Sequence, residues 1–229
     1  MLNDRYVMWS GRNKATSCIL ILPGRCQTGI ELAKQWCNIF LDNTMIILIT
    51  PKNKEWYPMP YSSLDQENAV LGLETAREVI ESTLDRIKLE FKIPKNKTAV
   101  VGFSAGGVMA NYVGINSNKE YAGFVSHSGA ILEPKFVPKC KFSSVPFILT
   151  HSENDEDFSW DERYVPMKNS LIDNGYNLKF LESMNGHCIS DDEIEFAALS
   201  ICDRLGYSLL DEVRNSNYFF DSYNLFVKD

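Results

Sequence analysis

The sequence predicts an α/β fold: a mostly parallel central sheet with helices on both faces. Three observations point there. First, short apolar runs recur at Thr16–Leu22, Met45–Ile49, Thr98–Val101, Tyr121–Ser126 and Val145–Thr150, most of them separated by helical stretches. Strands apolar on successive residues are those covered on both faces, and a strand–helix alternation builds parallel sheets. Second, Leu73, Ala76, Ile80, Leu84, Ile87 and Phe91 form one apolar stripe at helical spacing, which marks a long helix with one face on the sheet. Third, Val100 and Val101 run into Gly102-Phe103-Ser104-Ala105-Gly106-Gly107 and then into a helical stretch beginning Val108-Met109-Ala110, so the chain turns from strand to helix within a few residues.

Taken in order, Tyr6–Trp9 reads as a short strand, Ser10–Lys14 as a turn and Thr16–Leu22 as a central strand. A helix follows with Ile30, Ala33, Cys37 and Phe40 inward, then the buried strand Met45–Ile49. Pro51–Asp65 is a long connection carrying Trp56, Tyr57, Pro58, Met59, Pro60 and Tyr61, and loops this long are more often functional than idle. The striped helix ends at Pro94. After the Ser104 region come the strands Tyr121–Ser126 and Val145–Thr150, and a helix near Arg163–Asp173 that stops at Asn174-Gly175. Tyr176, Leu178 and Phe180 alternate as a last strand, and Ser190 to Glu193 forms a capping box that opens a final helix with Ile194, Ala197, Ala198, Ile201 and Leu205 inward.

The 229 residues are read as one domain, with 207–229 an aromatic-rich extension. Its Tyr218, Phe219, Phe220, Tyr223 and Phe226 are expected to pack on the body; a homodimer contact or a pocket lid is the sharper option. A net charge of −7 without a basic stripe argues against a nucleic-acid partner. No apolar run reaches the length of a membrane span. Met1–Tyr6 lacks the regions of a signal peptide, so a cytoplasmic location is expected. Six scattered cysteines form no C-x-x-C pair and no ligand cluster, so neither metal nor cofactor is expected.

The chemistry is expected at Ser104. Gly-x-Ser-x-Gly between a strand and a helix is a nucleophile elbow, which lifts a serine hydroxyl above the sheet edge. That hydroxyl needs a base. Of the three histidines, His187 sits in a loop after a strand, beside Gly186, and is the candidate; His127 and His151 lie at strand ends and read as packing residues. The base needs a carboxylate to fix its tautomer. The loop after Thr150 offers Glu153, Asp155, Asp157 and Asp161. An oxyanion hole needs two backbone N–H donors. Ala105 and Arg25 are the candidates, since Pro23 has no N–H. In a parallel sheet the loops after Leu22, Thr150 and Leu181 leave on the same side as Ser104, where ligands bind.

These features resemble the α/β-hydrolase superfamily, and within it the phospholipase/carboxylesterase group that includes acyl-protein thioesterases. The resemblance spans about residues 16 to 206. Members show L-H-G-x-G-D-T-G where this chain has Leu22-Pro23-Gly24-Arg25-Cys26-Gln27-Thr28-Gly29, and G-F-S-Q-G-G where it has Gly102-Phe103-Ser104-Ala105-Gly106-Gly107. They show H-G-D-x-D followed by V-P; here His151-Ser152-Glu153-Asn154-Asp155 precedes Val165-Pro166 after extra residues. They show G-H before an acidic helix start, as Gly186-His187 does before Ser190 to Glu193. The resemblance places the acid at Asp155, and leaves Asp157 and Asp161 in the extra residues facing solvent. It implies a serine hydrolase of carboxylic esters or thioesters acting on a small or lipid-like substrate. Trp56, Tyr57, Phe158 and Trp160 are expected to wall the substrate site with apolar surface. The alternatives are a lactone hydrolase or peptidase on the same fold, and a ligand-binding protein that keeps the fold without turnover.

Overall fold

The computed structural model describes residues 5–10, 14–39, 43–58, 66–206 and 224–228. The expected turn at 11–13, the helix position Phe40, the Met59–Asp65 part of the long connection and most of the aromatic extension lie outside the described residues. Among the described residues, eight strands make one sheet: β1 (Arg5–Ser10), β2 (Ser17–Leu22), β3 (Thr44–Ile49), β4 (Thr98–Phe103), β5 (Gly123–His127), β6 (Pro146–Ser152), β7 (Asn177–Ser183) and β8 (Asn224–Lys228). Their order across the sheet is β7-β6-β5-β4-β2-β3-β1-β8. The six strands β2 to β7 run parallel, and β1 runs antiparallel to its two neighbours, β3 and β8. Tyr176–Phe180 is therefore not the last strand: within the extension, β8 pairs with β1 at the far edge.

The helices are α1 (Ile30–Ile39), α2 (Gln66–Phe91), α3 (Ala105–Asn116), α4 (Val165–Asp173) and α5 (Asp191–Leu205). They divide between two apolar layers. One joins Leu73, Ile80, Leu84 and Ile87 of α2 and Val108, Met109 and Val113 of α3 to the sheet residues Leu20, Leu22 and Val100. The other joins Trp36 and Cys37 of α1 and Ile194, Ala198 and Ile201 of α5 to Ile19, Ile21 and Val101. Neighbouring strand residues thus go to opposite layers, which is why the central strands are apolar throughout. Each fully buried Leu or Ile contributes about 1.5–3 kcal/mol. The edge strand β7 has no such constraint, and Phe180 is 43% exposed.

Two boundaries differ from the sequence reading. β6 continues through His151 and Ser152, which are buried and polar yet hydrogen-bonded. The helix expected near Arg163 starts at Val165, after a π-helical turn over Trp160–Tyr164. The Ser190 capping box forms as expected, with Ser190 Oγ accepting from the Glu193 N–H and the Glu193 carboxylate accepting from the Ser190 N–H. It fixes where α5 begins, four residues after His187. Because β2, β3, β4, β6 and β7 are parallel, the loops leaving them emerge along one edge of the sheet.

Candidate active site

Ser104 stands between the end of β4 and the start of α3 in a conformation few residues adopt, with φ 53° and ψ −120°. The surroundings enforce it. A Cβ on Gly102 would lie 2.0 Å from the Gly106 carbonyl oxygen, and a Cβ on Gly106 would lie 2.0 Å from that of Leu22. Only glycine permits both approaches, so the two glycines of the motif press the start of α3 against the strand end and the loop after β2. The Ser104 N–H donates to the His127 carbonyl at 2.9 Å, which ties the turn to β5.

Ser104 Oγ lies 2.9 Å from His187 Nε2. His187 Nδ1 meets the Asp155 carboxylate at 2.9 and 2.8 Å. The carboxylate of Asp155 is fully buried, and its Oδ1 also accepts the N–H groups of Asp157 (2.9 Å) and Phe158 (2.8 Å). Burial alone would raise the Asp155 pKa; the His187 ring and the Phe158 N–H outweigh it and hold the carboxyl below its ordinary range. Ser152 binds the acid and histidine loops together, its Oγ accepting from the N–H groups of Gly186 (2.8 Å) and Asn154 (3.2 Å). Glu153 N–H adds a bond to the Ser183 carbonyl at 2.9 Å. The β6 and β7 loops thus meet as one unit and carry Asp155 to His187.

The other two histidines face different surroundings. His127 is wholly buried, its Nδ1 2.8 Å from Thr150 Oγ1, and burial lowers its pKa to about 3. His151 stacks on Tyr164 at 4.6 Å, and its Nε2 lies 2.8 Å from the Phe158 carbonyl. Burial lowers its pKa as well. Both are neutral packing groups at neutral pH; His127 meets Ser104 through its backbone carbonyl, and among the described residues neither imidazole bonds to the Ser104 hydroxyl.

Ala105 is the first residue of α3, so its N–H has no acceptor within the helix. The loop carrying Arg25 lies against this helix start, since the Gly106 Cβ position is also 2.6 Å from the Pro23 carbonyl oxygen. Within the segment after β3, residues 54–56 hold that loop through three contacts. Trp56 Nε1 donates to the Pro23 carbonyl at 2.8 Å, Cys26 N–H donates to the Lys54 carbonyl at 3.1 Å, and Arg25 pairs with Glu55 at 2.7 Å. Cys26 itself adopts φ 60°, a left-handed conformation.

Of the four aromatics picked from the sequence, Phe158 is the one whose ring borders His187, with centroids 5.9 Å apart. Trp56 and Tyr57 are buried in the α2–α3 layer, and Trp160 packs on Tyr164 at 4.6 Å. Phe103, not singled out in sequence, lies closer to the His187 ring at 5.1 Å. Its place inside Gly-x-Ser-x-Gly was the available signal. Asp157 is 69% exposed, as expected for the extra residues, yet its Oδ2 is 3.3 Å from His187 Nε2. No group of His, Cys, Asp and Glu able to hold a metal occurs among the described residues.

A hydroxyl bonded to an imidazole, whose far nitrogen meets a buried carboxylate, is suited to base-assisted nucleophilic attack. Comparison with known proteins leads the same way. The chain is 24% identical over 160 residues to acyl-protein thioesterase 1 homolog 2 of Dictyostelium discoideum, covering 62% of this chain and 71% of that protein. Its fold matches a phospholipase/carboxylesterase from Dyadobacter fermentans with a TM-score of 0.71 at 21% identity, over 87% of this chain and 97% of the other. The Bacillus cereus carboxylesterase matches with a TM-score of 0.74 at 16% identity, over 88% and 94%. The phospholipase/carboxylesterase family model matches residues 10–202, and the chain belongs to that family of α/β-hydrolase-fold esterases.

Proposed function

We propose that the protein hydrolyses carboxylic esters or thioesters through an acyl-enzyme on Ser104, with His187 as base and Asp155 as the orienting acid. One observation carries this reading: the continuous path from Asp155 through both His187 nitrogens to Ser104 Oγ. His187 Nε2 takes the Ser104 proton as Oγ attacks the carbonyl carbon. The N–H groups of Ala105 and Arg25 hold the oxyanion that forms. Collapse of this intermediate breaks the bond to the leaving oxygen or sulfur, which receives the proton from His187. Water then attacks the acyl-enzyme along the same path, with His187 again the base. Asp155, already ionised and buried, stabilises the imidazolium in both halves.

Phe103 and Phe158 flank His187 with apolar surface, which suits an acyl chain or an uncharged ester better than a sugar or phosphate. The thioesterase relative supports including thioesters among the substrates. A fluorophosphonate probe should label the wild type and not Ser104→Ala. That variant should lose turnover of p-nitrophenyl butyrate by about 10³-fold or more while folding normally. Residual activity above about a tenth of wild type would exclude the mechanism.

A further inference from the structure

Asp157 is the feature of the site that the acyl-transfer reading leaves unused. Its N–H is fixed on Asp155 Oδ1 at 2.9 Å, which sets its backbone beside the buried acid. Its carboxylate reaches the opposite side of the imidazole, 3.3 Å from Nε2, the nitrogen that also faces Ser104 Oγ. Asp155 occupies Nδ1, so Asp157 is not its substitute: a histidine oriented through Nε2 would have no nitrogen left for the serine.

What this placement controls follows from the reaction. Nε2 delivers the proton to the departing oxygen or sulfur, so that atom must come within about 3 Å of it. A carboxylate oxygen 3.3 Å from the same nitrogen is then no more than about 6 Å from the departing atom. We propose that Asp157 selects the charge of the leaving group, favouring esters and thioesters whose alcohol or thiol part bears a cation and disfavouring those with an anion. The surroundings reinforce it. Residues 153–163 carry six acids and one base, Arg163, and Glu153, Glu156, Asp161 and Glu162 are exposed with Asp157. Arg25, the cation on the loop after β2, is already paired with Glu55 at 2.7 Å. A ligand charge about 6–10 Å from the carboxylate, since it sits beyond the departing atom, alters binding in a solvent-like dielectric about two- to threefold per unit charge, or about four- to tenfold between a cationic and an anionic ligand.

The proposal rests on Ser104 and His187 as nucleophile and base, and the experiment separates the two. Three butyryl thioesters are compared: one of thiocholine, one of its neutral tert-butyl isostere, and one of an anionic mercaptoalkane sulfonate. Thiol release gives kcat/KM for each, and the neutral compound is the reference. The wild type should prefer the cationic over the anionic thioester by about tenfold or more at low salt. Asp157→Asn should shrink that ratio about four- to tenfold, Asp157→Lys should reverse the preference, and about 0.5 M salt should compress the wild-type ratio. The exposed side chain makes loss of folding no explanation for such a change. A ratio unmoved within twofold by Asp157→Asn, or a wild type for which the cationic compound is the poorest, would overturn the proposal. If Ser104→Ala hydrolysed all three at wild-type rates, the acyl-enzyme reading would fall as well. Loss of activity in Ser104→Ala with an unmoved ratio would overturn the role of Asp157 alone.

Discussion

Asp155 and Glu153 stand two residues apart in the same loop, and burial separates them. Glu153 is exposed, whereas the Asp155 carboxylate is shut away with two backbone N–H groups and the His187 ring around it. Asp155→Asn should leave the fold intact and lower kcat by about 10²–10⁴, because an amide can stabilise the wrong imidazole tautomer. Glu153→Gln should cost less than about tenfold. Steady-state kinetics with circular dichroism on both variants checks this; equal losses would place the acid elsewhere. The contrast also shows what the sequence carried. Ser104 and His187 were legible because glycines must stand beside a strained turn, and glycine spacing is visible in a sequence. By the residues alone Asp155 was one acid among four, since being buried depends on where the β7 loop arrives, and it was the family resemblance that singled it out. The contact of Asp157 with His187 was not legible at all: it depends on the backbone path of the extra residues, which no periodicity encodes.

At the scale of elements, the two proposed oxyanion donors belong to one rigid and one tethered partner. Ala105 is fixed by α3, but Arg25 lies in a loop whose position depends on the segment after β3. The Trp56 indole N–H on the Pro23 carbonyl is the buried member of the three ties between them. Trp56→Phe keeps an aromatic ring and removes the donor. An unpaired buried carbonyl costs about 1–3 kcal/mol, so the melting temperature should fall by about 2–12 °C. If the tie aligns the Arg25 N–H, kcat should drop about tenfold, less than complete loss of a donor, with KM within about threefold. A change confined to KM would instead make Trp56 a wall of the substrate site. The strands and helices themselves were largely legible, because a doubly covered strand leaves a continuous apolar run. The exceptions have physical causes. His151 and Ser152 extend β6 beyond its apolar run because hydrogen bonds compensate their burial. β8 was hidden because its partner, β1, is more than two hundred residues away in sequence.

The whole molecule should show its buried histidines in its response to acid. His127 sits on β5, inside the sheet between β4 and β6, with Nδ1 against Thr150 and Nε2 buried without a hydrogen-bond partner among the described residues. Its folded pKa of about 3 lies below the unfolded value of about 6.5. Between those values the unfolded chain binds a proton that the fold refuses, so stability falls as the pH falls, by about 1.4 kcal/mol per unit at full slope. His151, also lowered by burial, acts in the same direction. Asp155 enters later: its contribution is complete above about pH 4 and is lost as the pH falls through its depressed folded value. The melting temperature should therefore be level from about pH 8 to 7 and decline from about pH 6.5, well before carboxylates titrate. By pH 4.5 His127 alone should cost about 2–3 kcal/mol, or about 5–10 °C for a chain of this size. His127→Gln cannot titrate and retains an acceptor for Thr150. It should start from a lower melting temperature at pH 7 and lose less of it on the way to pH 4.5. Calorimetry of both proteins across that range checks the linkage. An equal decline in the two would mean that His127 is not the group resisting the proton, and that acid sensitivity arises elsewhere than on β5.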